Sequence, residues 1–227
     1  MCGRTTNTLP RDELVASLGV AEVDAPELPI SWNVAPSQPV YVMGAGPDKA
    51  RKLKALRWGL VPHWAKDARS AYINARAETI ADKPVFRGCL ASKRVIVPLS
   101  GFYEWRRPGL GEKAPRQPFY FQSAHRSLLG VAAIWDLWRD AEGNKLRSVA
   151  LVTTEANSTM QPVHGRMPAL LPPEAWDEWI RPAPLAPGRL ERLLVPAPEG
   201  LLECWEVGPR VNSVKNDGAD LVEPVAL

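Results

Sequence analysis

Cysteine at position 2 carries the most reactive chemistry in this chain, because removal of the preceding Met1 would leave a free α-amine and a thiol on adjacent carbons. In such an aminothiol the amine (pKa ~8) and the thiol (pKa ~8.5) are both partly nucleophilic near neutrality. With an aldehyde the amine forms an imine and the thiol closes on it to give a thiazolidine; the alternative is a frayed, inert terminus. Glu104 lies in the aromatic run GFYEWR (101–106), directly after the apolar run 94–98. A carboxylate without a partner is expensive there, and a carboxyl held in such a place suits proton transfer; pairing with a nearby arginine is the other reading. His164, in the proline-flanked QPVHGRMP, is presented from a loop, either for proton transfer or as an ordinary surface or core histidine. Asn74 opens NARAET, as a site residue or as a helix N-cap. Arg4, Arg76 and Arg166 each stand beside one of these residues, the pattern expected if a phosphate backbone passes the site. Trp32, Trp58, Trp64 and Trp105 lie in the same loop-proximal segments, where indoles could stack on bases, although core packing accounts for most of the nine tryptophans.

These residues run from one end of the chain to position 166, so a fold must collect them. Apolar residues at 14, 15 and 18 with Gly19 behind them predict a short helix over 10–18. Segment 30–38 reads as an ordered loop, 40–43 and 54–60 as strands, and 74–80 and 85–91 as short helices. The run 94–98 suits a strand buried on both sides. In 101–106, alternation puts Phe102 and Glu104 on one face and Tyr103 and Trp105 on the other. Further strands are expected at 118–122, 128–136, 147–153 and 201–207, helices at 173–181 and 189–194, and linkers at 106–117 and 182–188. Many short strands without regular βα alternation predict an α+β fold, an antiparallel β-rich open barrel-like core with short peripheral helices.

At 227 residues and 25.0 kDa the chain has the length of one domain, expected to span 1–227. A net charge of +3 permits a polyanionic partner without demanding one. Apolar content of 45% and charged content of 23% exclude a disordered chain. Uncharged apolar stretches fall far short of the ~20 residues of a membrane span, so no membrane partner is expected. Charge and hydroxyls arrive at once in MCGRTTNT, which argues against a secretory leader and for a cytoplasmic protein. Three widely spaced cysteines support neither a disulfide framework nor a zinc site, and three histidines do not make a metal centre. Neither GxxxxGK nor GxGxxG is present. No metal or cofactor is therefore expected, and the chain is expected to act as a monomer.

Read together, MCGR (1–4), WNVAPSQ (32–38), RWGLVPHW (57–64), NARAET (74–79), GFYEW (101–105), TTEAN (153–157), HGRMP (164–168) and VNSVKN (211–216) resemble the SOS-response-associated peptidase (SRAP) family, in family order across nearly the whole chain. The resemblance implies shielding of abasic sites in single-stranded DNA, with nucleoid association when bound. By it Cys2 is the nucleophile, Asn74 positions the terminus, Glu104 is the acid/base group, and His164 assists sugar opening and imine chemistry. Arg4, Arg76 and Arg166 hold DNA phosphates, and Trp64 and Trp105 line the DNA path. The segment 94–98 departs from relatives that carry a cysteine there. A cysteine peptidase using the same nucleophile, with removal of Met1 as its minimal act, and a non-covalent single-strand binding module are the competing readings.

Overall fold

Period-two alternation shapes most of this structure, a computed structural model that describes residues 2–46, 48–107 and 116–225. In chain order the described strands are β1 (Thr5–Asn7), β2 (Glu22–Asp24), β3 (Ser31–Val34), β4 (Pro39–Ala45), β5 (Arg51–Trp58), β6 (Asn74–Arg76), β7 (Arg94–Leu99), β8 (Gly101–Arg106), β9 (Gln117–Ser123), β10 (Leu129–Arg139), β11 (Lys145–Glu155), β12 (Arg166–Pro168) and β13 (Leu202–Glu206). The helices are α1 (Arg11–Leu18), α2 (Pro84–Leu90), α3 (Trp176–Ile180) and α4 (Arg189–Leu193).

Strands β11, β10, β7, β4 and β5 are neighbours in that order, and β5 pairs again with β11 in parallel, Arg57 with Ser148 and Trp58 with Val149. The five strands thus form a ring. Alternate residues, Val42, Leu56, Val95, Val97, Ala133 and Val149 among them, fill its interior. The residues between them, such as Met43, Leu53, Ile96, Ile134 and Ala150, face outward beneath Leu14 and Leu18 of α1, Phe86 of α2 and Trp179 of α3. Burying each such side chain is worth ~1.5–3 kcal/mol, which explains why 94–99 is apolar at every inward and outward position except the buried Arg94. Gly59, at φ 117, ends β5, and its N–H donates to the Val149 carbonyl at 2.9 Å; this left-handed turn releases the chain from the ring.

A second sheet, ordered β13-β9-β8-β1-β3, lies against one end of the barrel. Phe102 and Phe121 stack at 5.2 Å and join the barrel core, while Tyr103 and Tyr120 belong to a separate cluster with Val207 and Val211. A Cβ at Gly101 would lie 2.2 Å from the Tyr120 hydroxyl, so β8 can begin against β9 only with glycine.

The α+β architecture and β-rich barrel match the sequence reading, with one refinement: the barrel expected to be open is closed by the parallel β5–β11 pair. The helix expected at 74–80 is replaced by β6 and a 3-10 turn at Ala77–Thr79, because Leu151, Val152 and Thr153 of β11 capture Asn74, Ala75 and Arg76 as ladder partners. The loop expected at 30–38 contains β3, which β1 recruits through Thr5 opposite Val34. Most of the linker expected at 106–117 lies outside the described residues.

Candidate functional site

β1 runs antiparallel to β8, with Thr6 opposite Gly101 and Thr5 opposite Phe102, and the Tyr103 N–H donates to the Arg4 carbonyl at 3.0 Å. Continued toward the terminus, this pairing brings Cys2 alongside the far end of β8. Phe102 shares an apolar cluster with Cys2, so alternation turns Glu104 to the same side and Tyr103 and Trp105 to the other. Cys2 is 1% exposed and Glu104 3%. Burial first, and then the negative charge of Glu104, push the Cys2 thiol well above its ordinary value, so it is protonated at neutral pH. The Asn74 side-chain amide donates to the Cys2 carbonyl at 2.8 Å. The Asn74 Oδ1 is buried with no hydrogen-bond partner among the described residues, leaving an acceptor beside Cys2.

The turn between β11 and β12 carries His164. Its N–H donates to the Met160 carbonyl at 2.9 Å, and Met160 and Val163 pack in the cluster that contains Cys2, so this turn rims the same barrel mouth. His164 Nδ1 lies 3.0 Å from the Arg166 backbone nitrogen and 3.2 Å from the Arg166 carbonyl oxygen, so the Arg166 backbone orients the ring. The Arg166 guanidinium grips Glu78 through both oxygens, at 2.6 and 2.9 Å, and donates to the Thr153 carbonyl at 2.6 Å. That grip holds the Glu78 carboxyl below its usual range. Arg76 is exposed on β6, in register with Thr153, so Arg76, Glu78 and Arg166 surround one residue of β11.

Arg4 and Trp105 form a different group. Arg4 Nη1 donates to Asn33 Oδ1 and to the Val211 carbonyl, each at 2.6 Å, and the guanidinium lies 5.8 Å from the Trp105 ring centroid. The Trp105 indole donates to Asn212 Oδ1 at 2.7 Å, and a cleft of about 320 Å³ opens between Arg4, Trp105, Arg116 and Asn212. Trp64 stands on a third element, 58% exposed, on a loop pinned by His63, whose N–H and Nδ1 lie 2.8 and 2.9 Å from Asp136 Oδ2.

Cys2, Asn74 and Glu104 therefore converge, His164 and Arg166 approach from β12, and Arg76 from β6. Arg4 and Trp105 lie across β8, and Trp64 projects from its loop. Sequence alone does not single out Glu78, Thr153, Asn33 or Asn212, although each lies inside one of the matching stretches NARAET, TTEAN, WNVAPSQ and VNSVKN. A larger cavity of about 560 Å³, beside Ser100, Tyr120, Gln122 and Trp176, is lined by none of the candidate site residues. Among the described residues no group of three or more His, Cys, Asp or Glu could hold a metal ion, and no helix is long and apolar enough to cross a membrane.

The family profile described as SOS response associated peptidase (SRAP) matches residues 1–214. The chain belongs to the SRAP family. Among its SRAP relatives, the abasic site processing protein YoqW of Bacillus subtilis is 37% identical over 98% of this chain and 99% of its own length. The abasic site processing protein YedK of Escherichia coli is 30% identical over 99% of this chain and 100% of its own. The abasic site processing protein HMCES of Rattus norvegicus is 27% identical, covering 100% of this chain and 77% of that protein. Of solved structures, a Bacteroides thetaiotaomicron protein superposes with TM-score 0.86 at 24% identity over 99% of this chain and 100% of its own, showing that the fold is shared.

Proposed function

We propose that this SRAP protein processes abasic sites in single-stranded DNA by covalent capture at Cys2, shielding the lesion during the response to DNA damage. The naming of its relatives as abasic site processing proteins supports the substrate, and the convergence of Asn74 and Glu104 on Cys2 is the observation that carries the chemistry.

Once Met1 is removed, the Cys2 amine attacks the aldehyde carbon of the ring-opened deoxyribose and water leaves as the C=N bond forms. The Cys2 thiol then adds across that bond: sulfur bonds to carbon, the thiol proton passes to nitrogen, and the thiazolidine closes with a net loss of one water. Glu104 takes a proton from the amine and returns one to the departing oxygen. His164 assists opening of the sugar ring, and Asn74 holds the Cys2 carbonyl so that amine and thiol face one point. Arg76 and Arg166 neutralise phosphates on one side of Cys2. Arg4, Trp105 and Trp64 supply charge and stacking surfaces along the strand.

Intact mass spectrometry after mixing with an abasic single-stranded oligonucleotide tests this. The expected species is the protein without Met1 plus the oligonucleotide minus one water, formed without added metal or nucleotide. Cys2→Ala keeps the amine and is expected to give only a heat-labile imine; an equally heat-stable adduct from this variant overturns the aminothiol mechanism.

A further inference from the structure

The barrel has a second mouth, at the end remote from Cys2, and its lining differs from the rest of the interior. Inward positions on β5 that read Leu56 and Trp58 near the Cys2 end become Lys54 and Lys52, and the inward series on β11 passes from Val149 to Arg147. Together they border a cavity of about 360 Å³. Its floor is apolar, formed by Val42, Leu56 and Val95, and the half-buried Trp135 walls one side. Gly44 adds no side chain of its own to that wall.

Charge at this mouth is unevenly compensated. Lys52 is committed to Glu22 at 2.6 Å, and Lys54 lies 3.5 Å from Asp24. Arg147 makes no ion pair among the described residues. Arg94, which also borders the cavity, is 2% exposed. Its guanidinium donates to the carbonyls of Trp179, Leu90, Ala91, Arg181 and Ala183, so its hydrogen bonds are met by backbone while its charge is met by no ion pair among the described residues. The charge of Glu178 reaches Arg94, but Glu178 is itself paired with Arg189 at 2.5 Å, so Arg94 and Arg147 together leave a positive field at this mouth, and an anion is the counter-charge it favours.

We propose that this far mouth binds a nucleotide phosphate together with its base, the phosphate meeting Lys54 and Arg147 and the ring lying along Trp135 over the apolar floor. The volume is at the small end of ligand pockets, which suits one nucleotide and excludes a longer stretch of strand. Free nucleoside 5′-monophosphates and the 5′-phosphorylated end of an oligonucleotide share this chemistry. The site is separate from the Cys2 mouth and does not depend on the covalent reaction.

Titration calorimetry on the full chain with thymidine 5′-monophosphate tests the proposal. The expected dissociation constant is on the order of 100 µM, with thymidine and inorganic phosphate each at least about tenfold weaker. A 5′-phosphorylated oligonucleotide too long to be buried, compared with its 5′-hydroxyl form, identifies the source: preference for the phosphorylated end assigns the site to strand ends, and binding of the monophosphate alone assigns it to free nucleotide. Arg147→Gln, at an exposed position, and Lys54→Gln, at a half-buried one, are expected to weaken binding about threefold to tenfold each with unchanged thermal unfolding. Three results overturn the proposal: no binding of any probe, equal binding of inorganic phosphate and nucleotide, or loss of binding in Arg76→Ala or Arg166→Ala with none in Arg147→Gln, which moves the ligand to the Cys2 mouth.

Discussion

The side-chain amide of Asn74 donates to the backbone carbonyl of Cys2 at 2.8 Å, tying β6 to a residue 72 positions earlier in the chain. β6 is itself held by β11, so the barrel wall sets the position of the Cys2 backbone.

Removing that tether with Asn74→Ala forfeits one hydrogen bond, worth ~0.5–1.5 kcal/mol net, and loosens the terminus. Adduct formation with abasic single-stranded DNA is expected to slow about threefold to tenfold, with affinity for undamaged DNA unchanged. A time course on denaturing gels measures it.

Glu104→Gln keeps the shape and loses the proton transfer, and such groups contribute ~10²–10⁴-fold. Crosslink formation or reversal is expected to slow by about 100-fold or more, with affinity for intact single-stranded DNA nearly unchanged. Wild-type rates in this variant, followed at several pH values, would return Glu104 to a structural role.

Under the proposed role of Arg166 at a DNA phosphate, Glu78, which holds its guanidinium, is a competitor for it. Glu78→Gln is expected to tighten binding of single-stranded DNA, whereas Arg166→Ala lowers the slope of log affinity against log salt by ~0.7. Because Arg166 holds the Glu78 carboxyl below its usual range, the ion pair is intact above the ordinary carboxylate pKa and is lost as pH falls through the lowered value. The affinity difference between wild type and Glu78→Gln should therefore shrink in acid, which fluorescence anisotropy across a pH series would follow.

Asp136 anchors the loop that carries Trp64. Its carboxylate is 1% exposed; burial pushes the carboxyl up, but bonds from Lys93, the His63 N–H and ring, and the Leu137 N–H outweigh this and hold it low. Asp136→Asn is expected to lose ~2 kcal/mol, because Lys93 and His63 retain access to water and recover part of their solvation. The melting temperature should fall by roughly 4–8 °C for a chain of this size. The loss is largest above the ordinary carboxylate pKa and vanishes as pH falls through the lowered value, so melting curves of the two proteins should converge in acid.

What the sequence makes legible is what depends on local period. Alternation in GFYEWR separates Glu104 from Trp105, and β7, β10, β11, α1 and α4 lie within a few residues of the segments read for them. Asn74 shows where such reading stops: NARAET has helical composition, but a three-residue ladder with β11 outweighs propensity, and neither partner is visible from the other in sequence. The same holds for β3 and β12, each too short to carry a periodic signal and each formed by a neighbour already in place. Trp105 and Trp64 could be recognised as exposed-type aromatics, but their separation across β8 and the Asp136 loop is a property of the assembled sheets.

The parallel closure of β5 on β11 also orders events in time. No ring exists until residue 149 has been made, and at ~5–20 residues per second that takes about 7–30 s of synthesis. Throughout that interval the first residues lack β6 and the closed wall behind it, and the peptide bond between Met1 and Cys2 stands open to a processing enzyme. After closure Cys2 is 1% exposed, so the removal of Met1 that the proposed chemistry requires is expected to act on the nascent chain.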